Sequence, residues 1–230
     1  MVKVVLIPAL FCDSRLYDDM LQALPREIRT AVIIPTGATL EACADDVLNQ
    51  VAGHFIVAGT SFGGHVALQV AFTDPDRVRG LWIMGAAANG AADPQAGFAR
   101  SSTIRAGRQN EIVSAFSDDI AYLPGPSGPT AQGLFIEMGN AAPAERVAAH
   151  NDALAKRPDR WQLLPSISCP TLLLWGERDS FSKPEDGRRM ATLIPECDYH
   201  AISDCGHLPS LEQPARVAGI AIRWLGTTAG

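Results

Sequence analysis

The chain is short of several things, and each shortage closes off a class of function. It has no block of basic residues and its formal net charge is -6, so nucleic acid is not an expected partner. It has no apolar run of membrane-spanning length. The opening MVKVVLIPAL is too short to span and lacks the layout of a secretory signal, so no membrane association is expected and a cytoplasmic location is. Its five cysteines (Cys12, Cys43, Cys169, Cys197, Cys205) are odd in number, scattered and nowhere paired as C-x-x-C. That pattern reads as free thiols in a reducing compartment. There is no H-E-x-x-H and no clustered Cys/His set, so neither a metal nor a cofactor is expected. Internal repeats and low-complexity tracts are missing as well.

What remains is 230 residues, 47% of them hydrophobic, enough to bury the core of one large domain that carries an inserted subdomain. Short β-rich runs occur at Val2–Ile7, Ala31–Ile34, Phe55–Ala58, Leu81–Met84, Thr171–Trp175 and Tyr199–Ile202. Most are continuously apolar, as in strands covered on both faces of a parallel sheet. Helical patterns lie between them, at Leu40–Val51, Gly64–Phe72, Pro184–Leu193 and Pro214–Leu225, the last two opening on proline. Alternating strands and helices predict an α/β domain with a wholly or mostly parallel sheet of six strands. Residues 88–165 break the alternation. They offer helices near Pro94–Ile104, Glu111–Tyr122, Ala131–Asn140 and Pro143–Lys156 and no strand, with the non-helical PGPSGP of Pro124–Pro129 dividing them. Residues 1–87 and 166–230 are the expected core domain, and 88–165 a helical insertion after the fourth strand.

One strand-to-helix junction reads VAGTSFGGHVA over residues 57–67. Gly59, Thr60, Ser61, Phe62 and Gly63 fit G-x-S-x-G. A serine on so sharp a turn stands in strained backbone, and glycines two residues away on each side let the chain segments pass. Such a turn lifts Oγ off the sheet and aims the Phe62 N–H at an oxyanion formed there. Two other glycine-loop readings fail. A phosphate-binding loop needs Lys and Ser/Thr after the last glycine, where His65 and Val66 stand, and a dinucleotide fingerprint needs glycine at position 61.

Of five histidines, His54, His65, His150 and His200 read as surface or packing residues. His207 sits in CGHLPSLEQP between the last strand and the last helix, where ligand chemistry collects in open α/β sheets. Asp179 follows the strand Thr171–Trp175 at the same sheet edge, with Glu177, Asp186 and Asp204 as rival carboxylates. Serine, acid and histidine thus follow different strands in that order. Here the chain resembles the α/β-hydrolase superfamily, among its small esterases and lactonases. The resemblance rests on VAGTSFGGHVAL, FTDPDRVRGLWIMGAA, ISCPTLLLWGERDSFSKPEDG and ISDCGHLPSLEQPARV.

The resemblance implies Ser61 as nucleophile, His207 as general base and then acid, and Asp179 as its orienter. It implies an oxyanion hole from the backbone N–H groups of Phe62 and Leu10, with Phe11 the alternative to Leu10. Pro8 and Ala9 stand where the family has His-Gly, and Thr60 stands where relatives commonly carry histidine. The 88–165 insertion would be a lid. Phe11, Ala86, Phe98, Phe116, Phe135, Met138 and Leu208 are the candidate pocket residues. Arg100, Arg105 and Arg108, close together on the insertion, either bind a substrate carboxylate or are solvated helix surface. The expected activity is hydrolysis of a small carboxylic ester or lactone, which would be the small-molecule partner. A carbon–carbon bond hydrolase, a cofactor-free perhydrolase and a non-catalytic ligand receptor are the alternatives on the same fold.

Overall fold

The computed structural model describes residues 3–228. Six strands form one sheet: β1 (Lys3–Ile7), β2 (Arg29–Val32), β3 (Phe55–Thr60), β4 (Val78–Met84), β5 (Thr171–Gly176) and β6 (Cys197–Ile202). The helices are α1 (Asp18–Gln22), α2 (Leu40–Gln50), α3 (Phe62–Thr73), α4 (Pro94–Arg105), α5 (Gln109–Ile120), α6 (Gly128–Ala141), α7 (Ala144–Lys156), α8 (Pro184–Leu193), α9 (Pro209–Glu212) and α10 (Pro214–Thr228). Strand order is β2-β1-β3-β4-β5-β6, and every pairing is parallel.

Parallel pairing gathers the carboxyl ends of all six strands along one edge. β3 and β5 are buried from end to end, which is why they read as unbroken apolar runs. The chain winds from β1 to β2 on one side and from β3 onward on the other. The strand ends of β1 and β3, with Ile7 opposite Gly59, therefore flank the point where the order reverses. Crevices for ligands form at such switch points. Helices start where the sequence offers caps: Thr39 Oγ1 accepts from Ala42 N at 3.1 Å, and Asp93 Oδ1 accepts from Ala96 N at 2.9 Å ahead of Pro94.

The edge strands depart from the apolar runs. β2 begins at Arg29 rather than Ala31, because pairing with β1 recruits the polar Arg29 and Thr30, whose side chains are exposed. β6 begins at Cys197 opposite Thr171, two residues before the expected start. Val2, expected to open β1, lies outside the described residues. PGPSGP is not wholly non-helical: α6 opens at Gly128 with Pro129 in its first turn, where the missing N–H removes no helical bond. Helices α1 and α9 and the 3-10 segment Trp161–Ser166 are too short to leave a periodic signature.

Candidate active site

Ser61 is the first residue after β3, with φ 53° and ψ −115°. A non-glycine residue held there costs about 1–3 kcal/mol, offset by the surrounding structure. The surroundings leave the turn little choice. Ser61 N donates to Met84 O at 2.8 Å, and Ser61 O accepts from His65 N at 3.1 Å. A Cβ on Gly59 would lie 2.1 Å from Gly63 O, and one on Gly63 would lie 1.9 Å from Ile7 O. Both glycines are therefore required by close backbone approach, and the second presses the start of α3 against the end of β1. A Cβ on Gly63 would also lie 2.8 Å from Pro8 O, so the start of α3 abuts the residue that leads into the Leu10–Phe11 loop.

Thr60, which has no role in the sequence reading, acquires one here. Tyr17 Oη donates to Ile7 O at 2.8 Å, so its single proton is used and Thr60 Oγ1 donates to Tyr17 Oη at 2.9 Å. This buried pair ties the end of β3 to the end of β1.

Asp179 and His207 meet across the ends of β5 and β6. His207 Nδ1 lies 2.9 Å from Asp179 Oδ1 and 2.8 Å from Oδ2, with both side chains almost wholly buried. A carboxylate only accepts, so Nδ1 carries the proton and the neutral ring presents Nε2 as a base. Asp179 Oδ1 also accepts from Phe181 N and Ser182 N, each at 2.9 Å. The rivals lie elsewhere: Glu177 and Asp204 are exposed, and Asp186 accepts from Asn89 Nδ2 at 2.7 Å. Gly85 (φ +59°) closes the gap to Ser61. A Cβ there would come 3.0 Å from Asp179 Oδ2 and 3.2 Å from His207 Nδ1, and the preceding residue, Met84, holds Ser61 N. Ser61 Oγ makes no hydrogen bond among the described residues. Serine–histidine contacts of this kind commonly tighten only around a bound substrate.

Glu212 is the residue that sequence reasoning misses. Its buried carboxylate accepts from Gly206 N at 2.7 Å, Leu208 N at 3.1 Å and Tyr122 N at 2.9 Å. It holds the amides on both sides of His207 and joins them to the segment after α5. His207 N donates in turn to Ile120 O at 3.1 Å, at the end of α5. The only sequence signal is the position of Glu212, five residues past the histidine and before a proline.

Aromatic rings lead from the inserted helices to this pair. Phe135 and Phe116 both meet Phe11 edge-on, at 6.1 and 5.8 Å. Phe116 meets Phe181 at 5.3 Å, and Phe181 meets His207 at 5.1 Å. Phe181, on the loop after Asp179, was not among the expected pocket residues. Met138 Sδ accepts from Asp13 N at 3.5 Å, near the same loop. Ala86 and Leu208 are buried beside the strand ends. Phe98 is half-buried on α4 and joins neither this ring chain nor the core cluster among the described residues.

Other titratable groups are held inert. Burial, then Asp13, pushes the Cys12 thiol well up, so it stays protonated and is no rival to Ser61. All five cysteines are free. Burial, then Arg157, Arg160 and His207, keep His65 well below the usual histidine range. His150 packs, as expected. Its ring stacks on Phe62 at 4.2 Å, its Nε2 donates to Pro35 O at 2.6 Å, and burial lowers its pKa to about 4. Of the three arginines on the inserted helices, Arg105 pairs with Glu145 and Asp152 at 2.9 Å each, and Arg108 with Glu111 at 3.3 Å. Arg100 differs: it bonds the neutral amide of Asn151 and lies 5.1 Å from the Phe116 ring centre. Among the described residues no group of acidic, histidine or cysteine side chains suits a metal ion, and no helix is long and apolar enough to cross a membrane.

By its sheet and by what stands at the strand ends, the protein falls in the class of α/β hydrolases. The chain belongs to the alpha/beta hydrolase family, whose model matches residues 4–220. It is 26% identical over 237 residues to a pimeloyl-[acyl-carrier protein] methyl ester esterase of Neisseria meningitidis, covering 95% of this chain and 75% of that one. A thermophilic esterase from Thermogutta terrifontis, solved with malate bound, superposes with a TM-score of 0.91 at 30% identity, covering 99% of this chain and 90% of that one. The enol-lactonase from Burkholderia xenovorans shares the fold, with a TM-score of 0.87 at 20% identity over 98% and 91% of the two chains.

Proposed function

We propose that the protein is a serine hydrolase of small carboxylic esters or lactones that works through an acyl-enzyme on Ser61. The observation that carries this reading is the buried Asp179–His207 pair, its Nδ1–H given to the carboxylate, at the edge where Ser61 stands in its strained turn. His207 Nε2 takes the Ser61 proton as Oγ bonds to the acyl carbon. The ester C–O bond breaks, and the alcohol leaves with that proton. Water then attacks the acyl-enzyme by the same route and releases the acid. Phe62 N–H and Leu10 N–H, or Phe11 N–H in its place, hold the oxyanion. A lactone is an internal ester and differs only in keeping its alcohol on the acyl chain. Residues 88–165 serve as the lid over a pocket lined by Phe11, Phe116, Phe135, Met138 and Phe181. The similarity to two proteins named as esterases supports ester hydrolysis over the other chemistries of this fold.

A fluorophosphonate probe tests the nucleophile. Wild type should be labelled and Ser61→Ala should not. An unlabelled wild type, or equal labelling of the variant, defeats the assignment. A panel of p-nitrophenyl esters and lactones tests the base: turnover that survives His207→Ala intact defeats the mechanism.

A further inference from the structure

Two half-buried arginines along the seam where α4 packs on α7 have no acid to pair with. Arg100, on α4, gives Nη1–H to Asn151 Oδ1 at 2.9 Å. Arg157, which ends α7, gives its protons to Asn89 O at 3.1 Å and Leu154 O at 2.9 Å. Among the described residues neither forms an ion pair, whereas Arg105 and Arg160 nearby do. The neighbouring carboxylates are engaged: Asp152 and Glu145 with Arg105, Glu41 with Arg160, Asp186 with Asn89.

The two positions lie close together and close to the site. α4 and α7 pack so tightly that a Cβ on Gly97 would lie 2.6 Å from Ala155 Cβ, and Arg100, one turn further along α4, meets Asn151, about one turn before the end of α7. The Arg100 guanidinium covers Phe116, and the rings of Phe116 and Phe181 continue to His207. Burial lowers the pKa of both arginines, and the charge of Arg100 adds to the effect at Arg157. Arg157 bonds Asn89 O, four residues past Gly85, and Gly85 adjoins both Asp179 and His207. Two like charges, partly withdrawn from water and without a counter-ion, are costly unless an anion joins them. A guanidinium fork suits the two oxygens of a carboxylate.

We propose that Arg100 and Arg157 form an anion-binding subsite beside Ser61, and that the substrate is an ester carrying a free carboxylate. This rests on the ester-hydrolase reading above. The subsite sets which ester is accepted, and the charge is recognised at the seam while the apolar part of the chain lies along Phe116 and Phe181.

The test compares matched esters that differ only in that carboxylate: monomethyl glutarate with methyl pentanoate, monomethyl adipate with methyl hexanoate, and butyryloxyacetate with ethyl butyrate. The last pair puts the charge on the alcohol side. In at least one pair, wild type should favour the charged ester by roughly tenfold or more in kcat/KM, the size of a charge-assisted hydrogen bond. Arg100→Gln and Arg157→Gln should collapse that ratio, mainly through KM. Arg100→Lys, which keeps the charge and loses the fork, should restore only part of it. Preference for the neutral ester in every pair, or an unchanged ratio in both glutamine variants of unaltered melting temperature, overturns the subsite. Inorganic phosphate that competes better than glutarate overturns the carboxylate assignment.

Calorimetric titration of Ser61→Ala with glutarate and with butyrate reads the subsite without turnover. Glutarate should bind more tightly, and the Arg100→Gln change should remove the difference; equal binding counts against the subsite. Failure of fluorophosphonate labelling would instead sink the ester-hydrolase reading, so the two failures are distinguishable.

Discussion

The sheet edge and the inserted helices treat their polar groups in opposite ways. At the sheet edge the buried carboxylates are saturated, although Ser182 Oγ and Ser210 Oγ are buried without a partner among the described residues. Asp179 accepts from two amides and a histidine, Glu212 from three amides, and Thr60 donates to Tyr17, which donates to Ile7 O. Under the inserted helices, Arg100 and Arg157 meet only neutral partners. A saturated network has one arrangement and suits chemistry that must not vary. An unsaturated one leaves its strongest interaction to be made with something that arrives. On the proposals above, the difference separates a reaction set by the core from a selectivity set by the insertion.

The largest effect should come from breaking the saturated side at its centre. Ser61→Ala and His207→Ala should each lower kcat on the order of 10⁴-fold or more, and the double variant little further, because members of such a set act as a unit. Active-site titration with single-turnover kinetics checks this; additive losses would show that the two residues act separately.

Glu212→Ala should come next. It leaves the amides of Tyr122, Gly206 and Leu208 buried without an acceptor, at roughly 1–3 kcal/mol each. A total of roughly 3 kcal/mol or more corresponds to a drop of about 6–12 °C in Tm for a chain of this size. Since two of the amides flank His207, kcat should fall more than KM rises. Glu212→Gln keeps one acceptor oxygen and should lie between. A Tm within error of wild type for the alanine variant would mean that water replaces the carboxylate.

The two regions were also unequally legible from the sequence. Ser61 and Asp179 each follow a continuous apolar run, His207 follows the mixed run Tyr199–Ile202, and local turn chemistry marks all three, so strand ends and order can be read along the chain. The alternation of strands and helices, and the four inserted helices, could be read in the same way. Glu212, Phe181 and the Thr60–Tyr17 pair could not, because each owes its place to a partner at least 5 residues away across a loop or to another strand: Tyr122 N is 90 positions from Glu212, and Thr60 is 43 from Tyr17. Edge strands β2 and β6 were misjudged at their starts because pairing, not hydrophobicity, sets where they begin. Phe98 is a pocket candidate on residue type alone, and type says nothing of which helix face turns inward; the residue is half-buried and outside the ring chain.

A pH experiment probes the join between the regions. His150, from α7, stacks on Phe62 and has its pKa lowered from 6.5 to about 4, first by burial. Its unfolded form takes up a proton as pH falls through 6.5, while the folded form does so only near 4. Its contribution is therefore complete above pH 6.5 and lost as pH falls to about 4, by up to about 3 kcal/mol. Denaturant unfolding of wild type and His150→Phe across that window should show a steeper acid loss in wild type. Parallel curves would mean that the ring is protonated as readily folded as unfolded.

The smallest effect should come from Arg105, and it sharpens the contrast with Arg100. Both lie on α4, five residues apart, and both were candidates for binding a substrate carboxylate. Arg105 already has Glu145 and Asp152, in a largely exposed cluster where water screens the charges. Pairs of that kind add little to stability and leave no charge to offer a ligand. Arg105→Gln should therefore leave Tm unresolved from wild type and the charged-to-neutral ester ratio unchanged. A fall in that ratio would place the anion subsite on the outer face of α4 rather than at the seam, and would remove the distinction between a paired and an unpaired arginine on which the two-region comparison stands.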